Sequence, residues 1–290
     1  IYLYIYTMKE WVSKIPQKVH LIWIGDNPYP DYFKIFLKTF HDNFQGFEIK
    51  VWGNNDLTRK NFPLTLKYIN KAKKLQGKPM YDSDGNKMLN KDMEPHTYSK
   101  WAQITDLMRL EIVYRNGGYY FDTTFEILRP MYQLLNKKKY RFVGCNEVPR
   151  FKDHNILSNS FFGATQGNPI LKRLLSKKKL DKIDFYDMSV DFQTGPGYLR
   201  SGIRLNDNYF IFPTKYFYPF VEEYSPGEDP PFRKSSKNKC HSKKKKKSIN
   251  KRVKAKGYLK FPCDKYPKSY ALKHWELGKS WLINEYYTDT

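Results

Sequence analysis

One stretch constrains this chain more than any other, Tyr98 to Glu126: Y-S-K-W-A-Q-I-T-D-L-M-R-L-E-I-V-Y-R-N-G-G-Y-Y-F-D-T-T-F-E. Trp101, Ile104, Met108, Ile112 and Arg115 recur at helical spacing, and no Pro or Gly interrupts them. The spacing predicts a helix. Asn116-Gly117-Gly118 predicts its stop, because only Gly, and sometimes Asn, takes a left-handed cap at low cost. Tyr119-Tyr120-Phe121 is an aromatic run suited to an interior strand, and Asp122 follows at its end. In open α/β sheets, ligands bind outside the carboxyl ends of the strands. A carboxylate released there meets a metal ion or a sugar hydroxyl. Asp106 and Arg109 lie three apart and share a helix face. Taken alone they read as a surface ion pair, worth under ~1 kcal/mol.

The segments before this stretch predict a β-α-β unit. Ile15 to Gly25, with the apolar run Val19-His20-Leu21-Ile22-Trp23-Ile24, reads as a first parallel strand buried on both faces. Asp31 to Phe44 reads as an amphipathic helix, Phe47 to Trp52 as a strand, Gly53 to Asp56 as a turn, and Leu64 to Lys74 as a second helix. Tyr81 to Asn86 resembles part of a calcium loop but lacks its other ligands, so a turn is expected. After Asp122, Ile127 to Leu135 reads as a helical or irregular return. Phe142-Val-Gly144, Asn159 to Ala164 and Ile211 to Thr214 read as strands. Asn168-Pro169 to Leu175 reads as a helix with Pro in its first turn. Near the end comes Y-A-L-K-H-W-E-L-G-K-S-W over Tyr270 to Trp281.

The central stretch resembles glycosyltransferase family 32, the glycosyltransferases with a DXD sugar-binding region. These include initiating α-1,6-mannosyltransferases and inositol phosphoceramide mannosyltransferases, with the glucosylating clostridial toxins as distant relatives. The family pattern is roughly S-D-x-x-R-x-x-x-L-x-x-x-G-G-x-Y-x-D-x-D. Asp106, Arg109, Val113, Gly117, Gly118, Tyr120 and Asp122 match it, Thr105 stands for the Ser, and Thr124 stands where the last Asp is usual. The opening strand resembles the family's I-P-K-x-I-H-x-I-W-I-G. Thr194-Gly195-Pro196 resembles its T-G-P loop, expected to bring backbone close to a ligand. Tyr270 to Trp281 resembles its closing A-x-H-H-W-x-x-S-W, with Lys273 for the first His.

The resemblance implies an α/β fold: a GT-A-type, Rossmann-like single domain whose mostly parallel central sheet is flanked by helices. It spans residues 15–285, after an N-terminal extension over 1–14 and before a tail over 286–290. It implies a hexosyltransferase that moves mannose, glucose, galactose or N-acetylglucosamine from a UDP- or GDP-sugar to a glycan, glycolipid or protein acceptor, with retention. Asp106, Arg109 and Asp122 would be the catalytic residues. Ile22, Trp23, Tyr120, Gly195, Ser280 and Trp281 would bind the donor. Mn2+ or Mg2+ would be held by Asp122 and His274, with Glu126 a further carboxylate beside Thr124. Thr124 also opens an alternative: a non-catalytic relative that binds nucleotide sugar or a partner subunit.

Composition settles what remains. The chain has 290 residues with 40% hydrophobic and 17% aromatic content, which is globular rather than disordered. Its three cysteines, Cys145, Cys240 and Cys263, form no metal motif and no disulfide framework. The formal charge is +23, and residues 233–256 hold thirteen Lys or Arg with no Asp or Glu. That run reads as a disordered insertion, and its functional reading, left open, is a tether to an anionic membrane surface. It holds no aromatic residue, which argues against a base-stacking nucleic-acid platform. Ile1 to Tyr6 is apolar but too short to span a bilayer, which takes about 20 residues. A cytoplasmic or peripherally membrane-associated protein is expected, with an N-terminal anchor lost from the chain as the alternative.

Overall fold

The computed structural model describes residues 15–82, 84–90, 93–135, 140–146, 157–187, 189–218 and 268–274. The extension, the lysine-rich run, Ser280, Trp281 and the tail lie outside them.

Eight strands and eight α-helices are assigned among these residues. The strands are β1 (Lys18–Ile22), β2 (Glu48–Trp52), β3 (Gly118–Phe121), β4 (Phe125–Ile127), β5 (Phe142–Asn146), β6 (Leu157–Ala164), β7 (Tyr209–Phe212) and β8 (Ala271–Lys273). The helices are α1 (Asp31–Asn43), α2 (Leu66–Leu75), α3 (Trp101–Asn116), α4 (Tyr132–Leu135), α5 (Pro169–Leu174), α6 (Lys177–Leu180), α7 (Val190–Gln193) and α8 (Pro196–Arg200).

Six strands form one sheet in the order β2-β1-β3-β6-β5-β7. β1 pairs parallel with β2 and β3, and β5 pairs parallel with β7. β6 is antiparallel to both neighbours, so five strands run one way and β6 runs against them. The expected mixed α/β class with a mostly parallel sheet is what the chain forms. β4 and β8 make a separate antiparallel pair, with Phe125 opposite Lys273.

Strand alternation divides the core. Tyr119 and Phe121 pack on one face of the sheet with Phe33, Phe40, Phe44 and Phe161. Tyr120 packs on the other face with Ile22, Phe142, Phe162 and the buried side of α3. Each fully buried large apolar side chain contributes ~1.5–3 kcal/mol. Helix α3 is buried on nearly every side between the sheet, α2 and α5: eleven residues from Ala102 to Val113 are buried, including Gln103, Asp106, Arg109 and Glu111.

Its end follows the glycine pair. Gly117 and Gly118 have φ of +64° and +96°. A Cβ on Gly118 would stand 2.6 Å from the Lys18 carbonyl oxygen, so the close approach of β1 and β3 needs the missing side chain. His20 ties the same corner: its Nε2 lies 2.8 Å from the Gly117 carbonyl oxygen and Trp52 Nε1 donates to its Nδ1 at 3.3 Å.

Several local expectations change. The return after Asp122 begins as β4, because Phe125 and Ile127 enter the core and pair with β8. Thr194-Gly195-Pro196 is the start of α8, with Gly195 as its N-cap, and not a free loop. At Tyr81 to Asn86 the expected turn forms: the Asp82 carboxylate accepts from the backbone N–H groups of Asp84 and Asn86. Among the described residues, no helix is long and apolar enough to cross a membrane.

Candidate active site

The site is built at the carboxyl end of β3, where α3 crosses behind it. Asp106 and Arg109 lie one turn apart on α3, and both are buried at 4% and 6% exposure. The spacing taken alone reads as a surface ion pair, but in the fold both residues are buried. Arg109 Nη2 lies 3.2 Å from Asp106 Oδ1, and Arg109 Nη1 lies 3.3 Å from Asp122 Oδ1. One guanidinium thus bridges two carboxylates. Nη1 also donates to the Asn159 carbonyl oxygen at 2.8 Å, and the guanidinium stands 4.5 Å from the centre of the Tyr120 ring. A planar cation held by a fork of donors and an aromatic face has little freedom left.

The remaining oxygens are committed as well. Asp106 Oδ1 accepts from Asn159 Nδ2, and Oδ2 accepts from the Thr194 hydroxyl, each at 2.8 Å. Burial pushes the Asp106 carboxyl up to about 7, against the opposing pull of Arg109 and Thr194. Asp122 Oδ1 accepts from the Tyr120 hydroxyl at 2.7 Å, and Oδ2 accepts from Lys273 Nζ. Burial raises the Asp122 carboxyl, but Lys273, Arg109 and Tyr120 outweigh it and hold it below the usual carboxylate value. Asp122 keeps a 24% exposed side chain, whereas Lys273 is 5% exposed. Behind the cluster, Tyr218 bonds Ser158 and Ser160 at 2.6 and 2.7 Å in a closed hydroxyl triangle.

The structure brings Asp106, Arg109, Tyr120 and Asp122 together. Sequence reasoning missed Asn159 and Lys273, and it gave Thr194 a backbone role when its hydroxyl makes the contact. Only the match of Lys273 to a position usually held by His carried a signal. Ile22 is buried at the end of β1. Trp23 follows it, stacked on Phe33 at 5.6 Å, with its indole N–H donated to the Asn27 carbonyl oxygen. Gly195 is buried against α7, where a Cβ would stand 3.0 Å from Asp191 Cα.

His274 and Glu126 contact each other. His274 Nε2 lies 2.9 Å from Glu126 Oε2, and the ring stacks on Phe36 at 4.8 Å. Adjacent residues of an extended segment project to opposite sides, so Lys273 meets Asp122 while His274 meets Glu126. The expected ligand set of Asp122 and His274, with Glu126 beside it, is thereby split between two separate contacts. Among the described residues, no group of three or more His, Cys, Asp or Glu is arranged to hold a metal ion.

Comparison with known proteins bears on this geometry. Residues 3–141, nearly half of the chain, match the family described as "Glycosyltransferase sugar-binding region containing DXD motif". The matched region includes Asp106, Arg109 and Asp122. Among solved structures the chain is similar to the PaToxG glycosyltransferase, at 15% identity over 65% of this chain and 68% of that one, with a TM-score of 0.43. It is also similar to the UDP-bound glycosyltransferase domain of the YGT toxin, at 11% identity over 69% and 80%, with a TM-score of 0.39. A third likeness is to the glycosyltransferase GlyE of Streptococcus pneumoniae TIGR4, at 10% identity over 94% and 61%, with a TM-score of 0.42. No curated protein matches.

A DXD motif implies a divalent cation. Among the described residues, the motif positions do not fit one. The motif reads Asp122-Thr123-Thr124. The Thr124 hydroxyl is neutral, buried, and without a hydrogen-bond partner among the described residues. The single carboxylate of the motif is already shared by an ammonium and a guanidinium. Two unit charges 4 Å apart repel by roughly 4 kcal/mol at the effective dielectric near a protein surface, and a dication doubles that against each cation.

Proposed function

We propose that this chain transfers a hexose from a nucleoside diphosphate sugar to a hydroxyl of a glycan, glycolipid or protein acceptor, with retention, in the manner of the family 32 mannosyltransferases it resembles. One observation carries the reading: Arg109 fixes Asp106 and Asp122 in one cluster at the carboxyl end of β3, with the Asp122 side chain partly open to solvent. Carboxylates held there accept hydrogen bonds from sugar hydroxyls. Charged hydrogen bonds of this kind are worth ~1.5–3 kcal/mol each. Their fixed geometry removes the cost of orienting the sugar at the moment of reaction. Ile22 and Trp23, at the end of the neighbouring strand, serve the nucleotide. Gly195 acts through its neighbour Thr194, which anchors Asp106.

The test is a hydrolysis panel over UDP- and GDP-sugars of mannose, glucose, galactose and N-acetylglucosamine. Release of nucleoside diphosphate from at least one donor, lost in Asp106→Asn, is the expected result. Absence of both binding and hydrolysis across the panel removes the enzymatic reading. Binding of a nucleotide sugar without turnover supports the second reading, a non-catalytic sugar-nucleotide-binding subunit, which the Thr124 substitution favours.

A further inference from the structure

We propose that Lys273 supplies the positive charge that neutralises the donor diphosphate, so that sugar transfer by this chain proceeds without a divalent cation. The inference rests on the nucleotide-sugar reading above and names how that site handles its leaving group.

Charge balance is the first argument. Two buried cations, Arg109 and Lys273, surround the single strongly acidic carboxylate of Asp122. The second carboxylate, Asp106, is satisfied separately by Arg109, Asn159 and Thr194. Among the described residues, two cations thus meet at Asp122, the partly exposed carboxylate of the cluster, and an anion is what such a position accepts. A nucleoside diphosphate is that anion.

Position is the second. Strand β8 fixes the lysine backbone: Lys273 pairs with Phe125 across the ladder, and its N–H donates to the Phe217 carbonyl oxygen at 3.2 Å. The ammonium stands 5.2 Å from the centre of the Phe125 ring and donates to Asp122. Ring and carboxylate together hold the charge in place before any ligand arrives. A preplaced charge stabilises a departing oxyanion without reorganising during the reaction. Lysine is suited to this because it binds phosphate as a point charge with three donors.

The chemistry balances with the residues present. The bond between sugar C1 and the β-phosphate oxygen breaks, and its electron pair stays on that oxygen. The acceptor hydroxyl oxygen forms the new bond to C1, and its proton passes to the departing phosphate. Lys273 remains an ammonium throughout and acts by charge alone.

The experiment uses the full chain and the donors UDP-glucose, UDP-galactose, UDP-N-acetylglucosamine and GDP-mannose. Hydrolysis is measured in excess chelator and in Mn2+, and UDP and GDP binding is followed by calorimetry in chelator. The wild type is expected to hydrolyse its donor equally, within about twofold, under both conditions. Lys273→Met is expected to slow hydrolysis about a hundredfold and weaken nucleoside diphosphate binding about tenfold, while Lys273→Arg keeps most of both. Wild-type hydrolysis abolished by chelator and restored by Mn2+ overturns this inference and leaves the sugar-transfer reading standing. No binding or hydrolysis in either condition overturns both. The chelator comparison needs no variant, and Lys273→Arg separates loss of charge from loss of fold.

Discussion

Arg109 and Asp106 are expected to fail in different ways when replaced. Arg109 holds two carboxylates, one backbone carbonyl and a ring face, and its side chain is 8% exposed. Arg109→Ala takes the shared guanidinium away from the Asp106 and Asp122 carboxyls and leaves Lys273 on Asp122 alone. Removing one partner of a buried pair costs roughly 3–5 kcal/mol, a large share of the ~5–15 kcal/mol that holds a domain together. At about 2–4 °C per kcal/mol for a domain of this size, the melting temperature falls by about 6–20 °C. Asp106→Asn is isosteric. Its amide oxygen still accepts from Asn159 and Arg109, and its amide nitrogen donates to a Thr194 hydroxyl that has turned to accept. A shift under about 4 °C is expected, since the amide keeps these hydrogen bonds. Turnover should nonetheless fall by about two decades, the upper range for one charged contact worth ~1.5–3 kcal/mol. Differential scanning fluorimetry and donor hydrolysis on the two variants check this. Equal, small melting shifts would refute the buried cluster. Full turnover in Asp106→Asn would remove Asp106 from the donor site.

Donor hydrolysis should rise as pH passes upward through about 7, where Asp106 ionises, and the residual rate of Asp106→Asn should lack that limb; a pH-rate profile of both decides it. Burial lowers the His20 imidazole from 6.5 to about 4, so the unfolded chain binds the proton first. The stability this contributes is present above pH 6.5 and is lost as pH falls toward 4, about 3 kcal/mol in all, and urea midpoints of wild type and His20→Gln at pH 7 and pH 4.5 should diverge accordingly. Gly118→Ala forces a Cβ to 2.6 Å from the Lys18 carbonyl at φ +96° and should cost well over 1 kcal/mol by denaturant unfolding. Glu126→Gln keeps an oxygen for His274 and should leave the response of hydrolysis to Mn2+ unchanged, as a metal titration would record.

The local patterns in this chain were legible where the signal is local. Helix α3, its glycine stop, β1, α1, β2, α2 and the Pro-started α5 follow from spacing, caps and aromatic runs. The direction of β6 was not, because a strand's own residues carry no record of which way its neighbours run. The burial of Asp106 and Arg109 was also hidden. A three-residue spacing gives a shared face, but the cover over that face comes from Asn159 and Thr194, 53 and 88 residues further along. β8 is three residues long, too short for any periodic signal, and its partner strand lies far upstream. The sequence could mark Lys273 as a departure from a pattern. Only the β4–β8 ladder places its ammonium on Asp122.

That departure and the one at Thr124 make physical sense together. Against the pattern the chain resembles, an Asp replaced by Thr124 removes one negative charge, and a neutral His replaced by Lys273 adds one positive charge. The two changes raise the fixed charge of the site by two units, which is the charge a bound divalent cation brings. Either change alone would leave the site unbalanced. Thr124 with a His at 273 would strip charge from a metal site without replacing the metal. An Asp at 124 with Lys273 would add a second carboxylate to the motif and cancel the charge that Lys273 brings. With both changes, Asp122 orients the ammonium and position 124 adds no second carboxylate to the motif. The same reasoning predicts that Thr124→Asp, which would improve a metal site, instead weakens nucleoside diphosphate binding here when measured by calorimetry in chelator. Tighter binding in that variant without added metal would contradict the charge argument.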